Sequence, residues 1–123
     1  MQDPGEVLRG CRVLIVEDEM LVAMELETVV AEQGCAVIGP APTVERALAL
    51  LDRERPDAAI LDVNLAGVTA APVAAALTAA GVPFVLATGY VQELQPEMQA
   101  APRVAKPVDH DQLLQTLARV IAA

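Results

Sequence analysis

The chain has 123 residues, within the usual range of a single domain and long enough to bury a substantial core. Hydrophobic residues make up 54 % of it, yet Phe84 and Tyr90 are its only aromatics, so the core must be Leu, Val, Ile and Ala, with helices packed close to a sheet. The formal net charge of −9 leaves no electrostatic footprint for nucleic acid or anionic lipid, which excludes direct binding to either.

Residues 1–10 read as an N-terminal extension and 11–123 as the domain. Asp3, Pro4, Gly5 and Glu6 do not make the basic-then-apolar run of a signal peptide. Cys11 and Cys35 lack metal-site spacing and each precedes a predicted strand, so they read as reduced structural thiols of a cytosolic protein. The first strand is Val13-Leu14-Ile15-Val16, a short apolar run of the kind buried on both faces of a parallel sheet, and it ends at Glu17 and Asp18. Val22, Leu26, Val29 and Val30 then recur at helical spacing, with Gly34 as the stop. Val37 and Ile38 form a short second strand ending at Gly39-Pro40. Thr43 caps a helix carrying Val44, Ala47, Leu48 and Leu51 on its inner side, stopped near Pro56.

A second aliphatic run, Ala58-Ala59-Ile60-Leu61, ends at Asp62. Residues 64–68 read as a loop, and Thr69 as the cap of an Ala-rich helix with Pro72 in its first turn. Residues 63–92 carry no charge, which raises a membrane span; Asn64, Pro72, Gly81 and Pro83 interrupt the stretch and favour a buried helix followed by a strand over residues 82–87. That strand leads to Thr88-Gly89. Residues 90–102 are polar, contain Pro96 and show no convincing apolar stripe, so any helix there is short and marginal. Val104-Ala105 make a minimal fifth strand ending at Lys106-Pro107. Asp109 with Gln112 reads as the capping box of a last helix whose inner face is Leu113, Leu117, Val120 and Ile121.

Five β-α units with short links predict an α/β fold: a doubly wound, five-stranded parallel sheet with helices on both faces. The flavodoxin-like order 2-1-3-4-5 sets the first and third strands side by side, and ligands bind at the carboxyl ends of such strands. Glu17, Asp18, Asp62, Thr88 and Lys106 would then share one rim. Three carboxylates crowded there are costly unless a cation lies among them. No Gly-rich phosphate loop follows the first strand, which weighs against a nucleotide or flavin.

The segments Val-Leu-Ile-Val-Glu17-Asp18-Glu19, Leu-Asp62-Val-Asn-Leu, Ala-Thr88-Gly-Tyr and Lys106-Pro107 together resemble the receiver domain of two-component response regulators, over essentially the whole chain. The Ala-Thr-Gly-Tyr element is loosely similar to a receiver subgroup with a Phe-Ala-Thr-Gly-hydrophobic-Tyr motif, Leu86 standing in place of the Phe. The resemblance implies a signalling switch that catalyses only its own aspartyl phosphorylation and dephosphorylation. Asp62 is the implied phosphoacceptor, served by a histidine kinase or histidine phosphotransfer protein. Mg²⁺ is held by Glu17, Asp18, Asp62 and the Asn64 carbonyl, while Lys106 and Thr88 contact the phosphoryl oxygens. It further implies a cis Lys106–Pro107 bond, a downstream protein target and, in many members, a homodimer through the last two β-α units.

The family's aromatic three residues before the Lys is Arg103 here, so Thr88, Tyr90 and the 90–102 segment are expected to carry the readout, with Arg103 marking the departure. Alone, Glu17 and Asp18 would serve a helix dipole, Thr88 a turn and Lys106 the solvent; His110 reads as a surface residue. A receiver that works without phosphorylation is disfavoured by the intact Asp62, Thr88 and Lys106. A phosphohydrolase with a strand-end Asp nucleophile is disfavoured because Asn64 stands where its second Asp belongs.

Overall fold

The computed structural model describes residues 3–89 and 93–123. Helix α1 (Pro4–Leu8) precedes strand β1 (Arg12–Val16), α2 (Met20–Ala31), β2 (Ala36–Ala41), α3 (Val44–Arg53) and β3 (Ala58–Asp62). A small hairpin, β4 (Asn64–Leu65) and β5 (Val68–Thr69), then leads to α4 (Ala71–Ala79), β6 (Phe84–Thr88), α5 (Pro96–Gln99), β7 (Arg103–Ala105) and α6 (His110–Ala122). The main sheet is parallel, in the order β2-β1-β3-β6-β7. Apart from the hairpin, this is the predicted 2-1-3-4-5 arrangement.

Strand alternation divides the core into two layers. Leu14, Val16, Ala59, Leu61 and Leu86 face α3 and α4, while Val13, Ile15, Ala58, Ile60 and Val85 face α1, α2 and α6. Both faces are dry, which is why these strands read as unbroken apolar runs. Ala70, Ala71 and Ala74 are buried and let α4 lie close to the sheet. This buried helix accounts for the uncharged stretch, and no described helix is long and apolar enough to cross a membrane. Thr43 and Asp109 cap α3 and α6 as expected, accepting from the N–H groups of Arg46 and Gln112.

The first ten residues contain α1, whose Leu8 is fully buried in the layer beneath α6. Four local expectations change. Strand β2 does not end at Gly39-Pro40 but runs through it to Ala41, with the pairing to β1 shifted between Leu14 and Val16. Proline is tolerated there because β2 lies at the sheet edge. Gly39 has φ +93°, and a Cβ on it would meet the Ala41 nitrogen at 2.8 Å. The 64–68 loop is a hairpin, and α4 is preceded by Ala70 at its cap position, with the Thr69 hydroxyl accepting from the Ala71 N–H one residue further on. The segment before β7 does have an apolar stripe, Leu94, Met98 and Ala101, of which Leu94 and Met98 are buried. Only its middle turn, Pro96–Gln99, is helical.

Candidate functional site

Parallel register decides which side chains meet at the carboxyl rim. Val16 lies level with Leu61, so Glu17 and Asp62 emerge side by side. Asp62 is level with Ala87, and Thr88 with Ala105, so Thr88 and Lys106 follow on the adjoining strands. The resulting crevice, about 400 Å³, is lined by Asp18, Glu19, Asp62, Asn64, Thr88 and Lys106 among others. A larger hollow of about 660 Å³ lies at the opposite rim, where Asp57 and Glu97 are its only charged side chains and do not converge with a cation. The convergent chemistry belongs to the smaller one.

Carboxylate oxygens of Glu17, Asp18 and Asp62 lie within 4.8 Å of one another. Glu17 is 2 % and Asp62 8 % exposed, an unusual burial for acids. Lys106 Nζ reaches Glu17 Oε1 at 2.7 Å, Asp62 Oδ2 at 3.2 Å and Glu19 Oε1 at 3.7 Å. The Glu17 contact has the distance of an ion pair but not the direction of a hydrogen bond, so Oε1 has no aligned donor. Its other oxygen accepts from the Glu19 N–H at 3.1 Å. Burial, helped by the neighbouring Asp62, pushes the Glu17 carboxyl up to about 7, against the opposing pull of Lys106 and the Glu19 N–H. Burial disfavours the Lys106 ammonium, yet Glu17 and Asp62 outweigh it and raise its pKa, so the lysine stays charged. The cluster is therefore short of positive charge: one ammonium faces three converging carboxylates.

The remaining expected residues divide. Asn64 begins the hairpin, and its side-chain oxygen accepts from the Gly67 N–H at 2.7 Å. Thr88 is half-buried at the end of β6, and its carbonyl accepts from the Lys106 N–H at 2.9 Å. The Lys106–Pro107 bond is cis. Arg103 opens β7 and is exposed. Tyr90 lies outside the described residues. Two participants escaped the sequence reading: Glu19, which shares Lys106, and the Ala66 N–H, which donates to Asp18 Oδ2 at 3.1 Å. Gly67 was the one local cue to the hairpin that places it, since Ala66-Gly67 is not among the usual tight-turn pairs. His110 is a surface residue, 3.3 Å from Glu25.

Residues 13–118 match the family described as response regulator receiver domain. The chain belongs to that family. It is 36 % identical over 111 residues to the sensory transduction protein LytT of Bacillus anthracis, covering 86 % of this chain and 45 % of LytT. This receiver domain thus spans less than half of that relative's length. Among solved structures, the response regulator PhyR of Brucella abortus superposes with a TM-score of 0.82 at 31 % identity, covering 96 % of this chain and 51 % of PhyR. The receiver domain of Erythrobacter litoralis PhyR also gives 0.82, at 28 % identity, with 94 % and 92 % covered. The receiver fold and its place in two-component signalling follow from these likenesses.

Proposed function

We propose that Asp62 of this receiver domain accepts a phosphoryl group from phosphohistidine on a histidine kinase or histidine phosphotransfer protein. The observation that carries this reading is the convergence of Glu17, Asp18 and Asp62 within 4.8 Å, with Lys106 bridging Asp62 and Glu17. In the transfer an Asp62 carboxylate oxygen attacks phosphorus. The phosphorus–nitrogen bond breaks, its electron pair returns to the imidazole, and Asp62 becomes an acyl phosphate.

The donor set suits Mg²⁺, a hard cation bound through oxygen. Glu17, Asp18, Asp62 and the Asn64 carbonyl would hold it, and the unaligned Glu17 Oε1 is what such an ion would satisfy. When bound, it supplies charge neutralisation for phosphoryl transfer. Lys106 already lies 3.2 Å from Asp62 Oδ2 and needs only to leave Glu17 to meet a phosphoryl oxygen. The Thr88 hydroxyl donates to another. Thr88, Tyr90 and Arg103, with the segment around α5, carry the change to a downstream protein target, in the cytoplasm and without direct contact to nucleic acid.

Labelled acetyl phosphate with Mg²⁺ tests the reading. Asp62→Ala should lose label uptake by about 100-fold or more, and removal of Mg²⁺ by chelation should do the same. Labelling at the normal rate in either case ends it.

A further inference from the structure

The β4–β5 hairpin touches the acidic crevice at one end and the approach to α5 at the other. Its turn residues, Ala66 and Gly67, both have positive φ, 53° and 86°. Ala66 is the only non-glycine residue with positive φ among the described residues. A residue with a Cβ is strained in that conformation, so contacts must hold it. Two are visible: the Ala66 N–H on Asp18 Oδ2 at 3.1 Å, and the Gly67 N–H on Asn64 Oδ1 at 2.7 Å.

At the far end, the Thr69 hydroxyl accepts from the Ala71 N–H at 3.2 Å and donates to Gln95 Oε1 at 2.6 Å. Around this bond lies a cavity of about 160 Å³, lined by Val63, Asn64, Thr69, Leu94, Gln95 and Met98 among others. The hairpin and the α5 approach are thus imperfectly packed, and the Thr69–Gln95 bond spans the gap. Helix α5 is four residues long, with no side-chain bond at its N-cap, Gln95. A single turn cannot sustain itself and takes its order from what it touches.

We infer that this hairpin is the arm by which a cation on the acidic cluster orders residues 93–99. A carboxylate has two oxygens, so Asp18 can keep the Ala66 amide on Oδ2 while a cation sits on Oδ1. The cation then pins the strained turn, and Thr69 passes that constraint to Gln95. This rests on reading Glu17, Asp18 and Asp62 as a Mg²⁺ site. Coupling of this kind is reciprocal: whatever order Mg²⁺ confers on residues 93–99, loss of the link must return as weaker Mg²⁺ binding.

The test pairs calorimetric Mg²⁺ titration with amide hydrogen exchange on the 123-residue chain. In the wild type, Mg²⁺ should bind and slow exchange over residues 93–99 by about five-fold, near the lower end of typical coupling. Gln95→Ala, which leaves the Thr69–Ala71 contact in place, should cut that slowing to under about two-fold and weaken Mg²⁺ binding by the factor lost. Thr69→Val should behave likewise, and Thr69→Ser as the wild type. Mg²⁺ binding with unchanged exchange over residues 93–99 overturns the inference and leaves the cation site standing. Undiminished slowing in Gln95→Ala also overturns it. Absence of Mg²⁺ binding overturns both.

Discussion

At the N-terminal rim of the sheet, Arg12 pairs with Glu54 in solvent, its N–H donates to Asp57 at 2.8 Å, and the Arg55 guanidinium caps the Ala80 carbonyl. The two thiols there donate to Val7 and Leu8 carbonyls of α1, and burial pushes Cys35 up to about 11, which keeps it protonated and unreactive. At the carboxyl rim, the same strands release Glu17 and Asp62 into near-complete burial with a single ammonium between them. One rim satisfies its polar groups and lets water share the charges; the other buries two acids and leaves Glu17 Oε1 without an aligned donor. The strain is confined to the end where the proposed chemistry needs it.

The largest expected break in that contrast is Lys106→Ala. Removing the one cation from two buried carboxylates should destabilise the Mg²⁺-free protein by about 3 kcal/mol at pH 8, read from urea unfolding. Added Mg²⁺ should recover much of the loss. A smaller effect of opposite sign is expected for Glu17→Gln, which relieves a buried, poorly satisfied charge and should stabilise the Mg²⁺-free protein at pH 8 by about 1 kcal/mol.

The pH dependence sharpens the same point. Folding raises the Glu17 pKa to about 7 from 4.5, so the folded state binds the extra proton. Its contribution to stability is complete below about 4.5 and lost as pH rises through about 7. The stability difference between wild type and Glu17→Gln should therefore widen from pH 5 to pH 8 in chelator. Because the ligand set must be deprotonated, Mg²⁺ affinity should rise over that interval. Smallest of all, Arg12→Ala at the opposite rim should shift stability by under about 0.5 kcal/mol, as exposed pairs usually do, and leave Mg²⁺ affinity unchanged.

Much of this was legible in the chain because burial on both faces writes itself as uninterrupted aliphatic runs, and each run stops at a polar residue on the same rim. Glu17, Asp62, Thr88 and Lys106 could be aligned by counting strands. What escaped depended on neighbours distant in sequence. Gly39-Pro40 looks like a stop until β2 is known to lie at an edge. Leu94 and Met98 stand at helical spacing, but Pro96 between them and the polar residues around them mask the stripe. The Ala66 turn lacked the Asn-Gly or Asp-Gly signature of tight hairpins, and its bond to Asp18 joins residues 48 apart.

Pro40 has no amide hydrogen to offer, and it sits in one outermost strand, while the other, β7, is three residues long and runs through Lys106 into Pro107. Neither flank presents a long row of free donors on which a foreign strand could template itself. The sheet is thereby guarded at both sides against extension by an added strand.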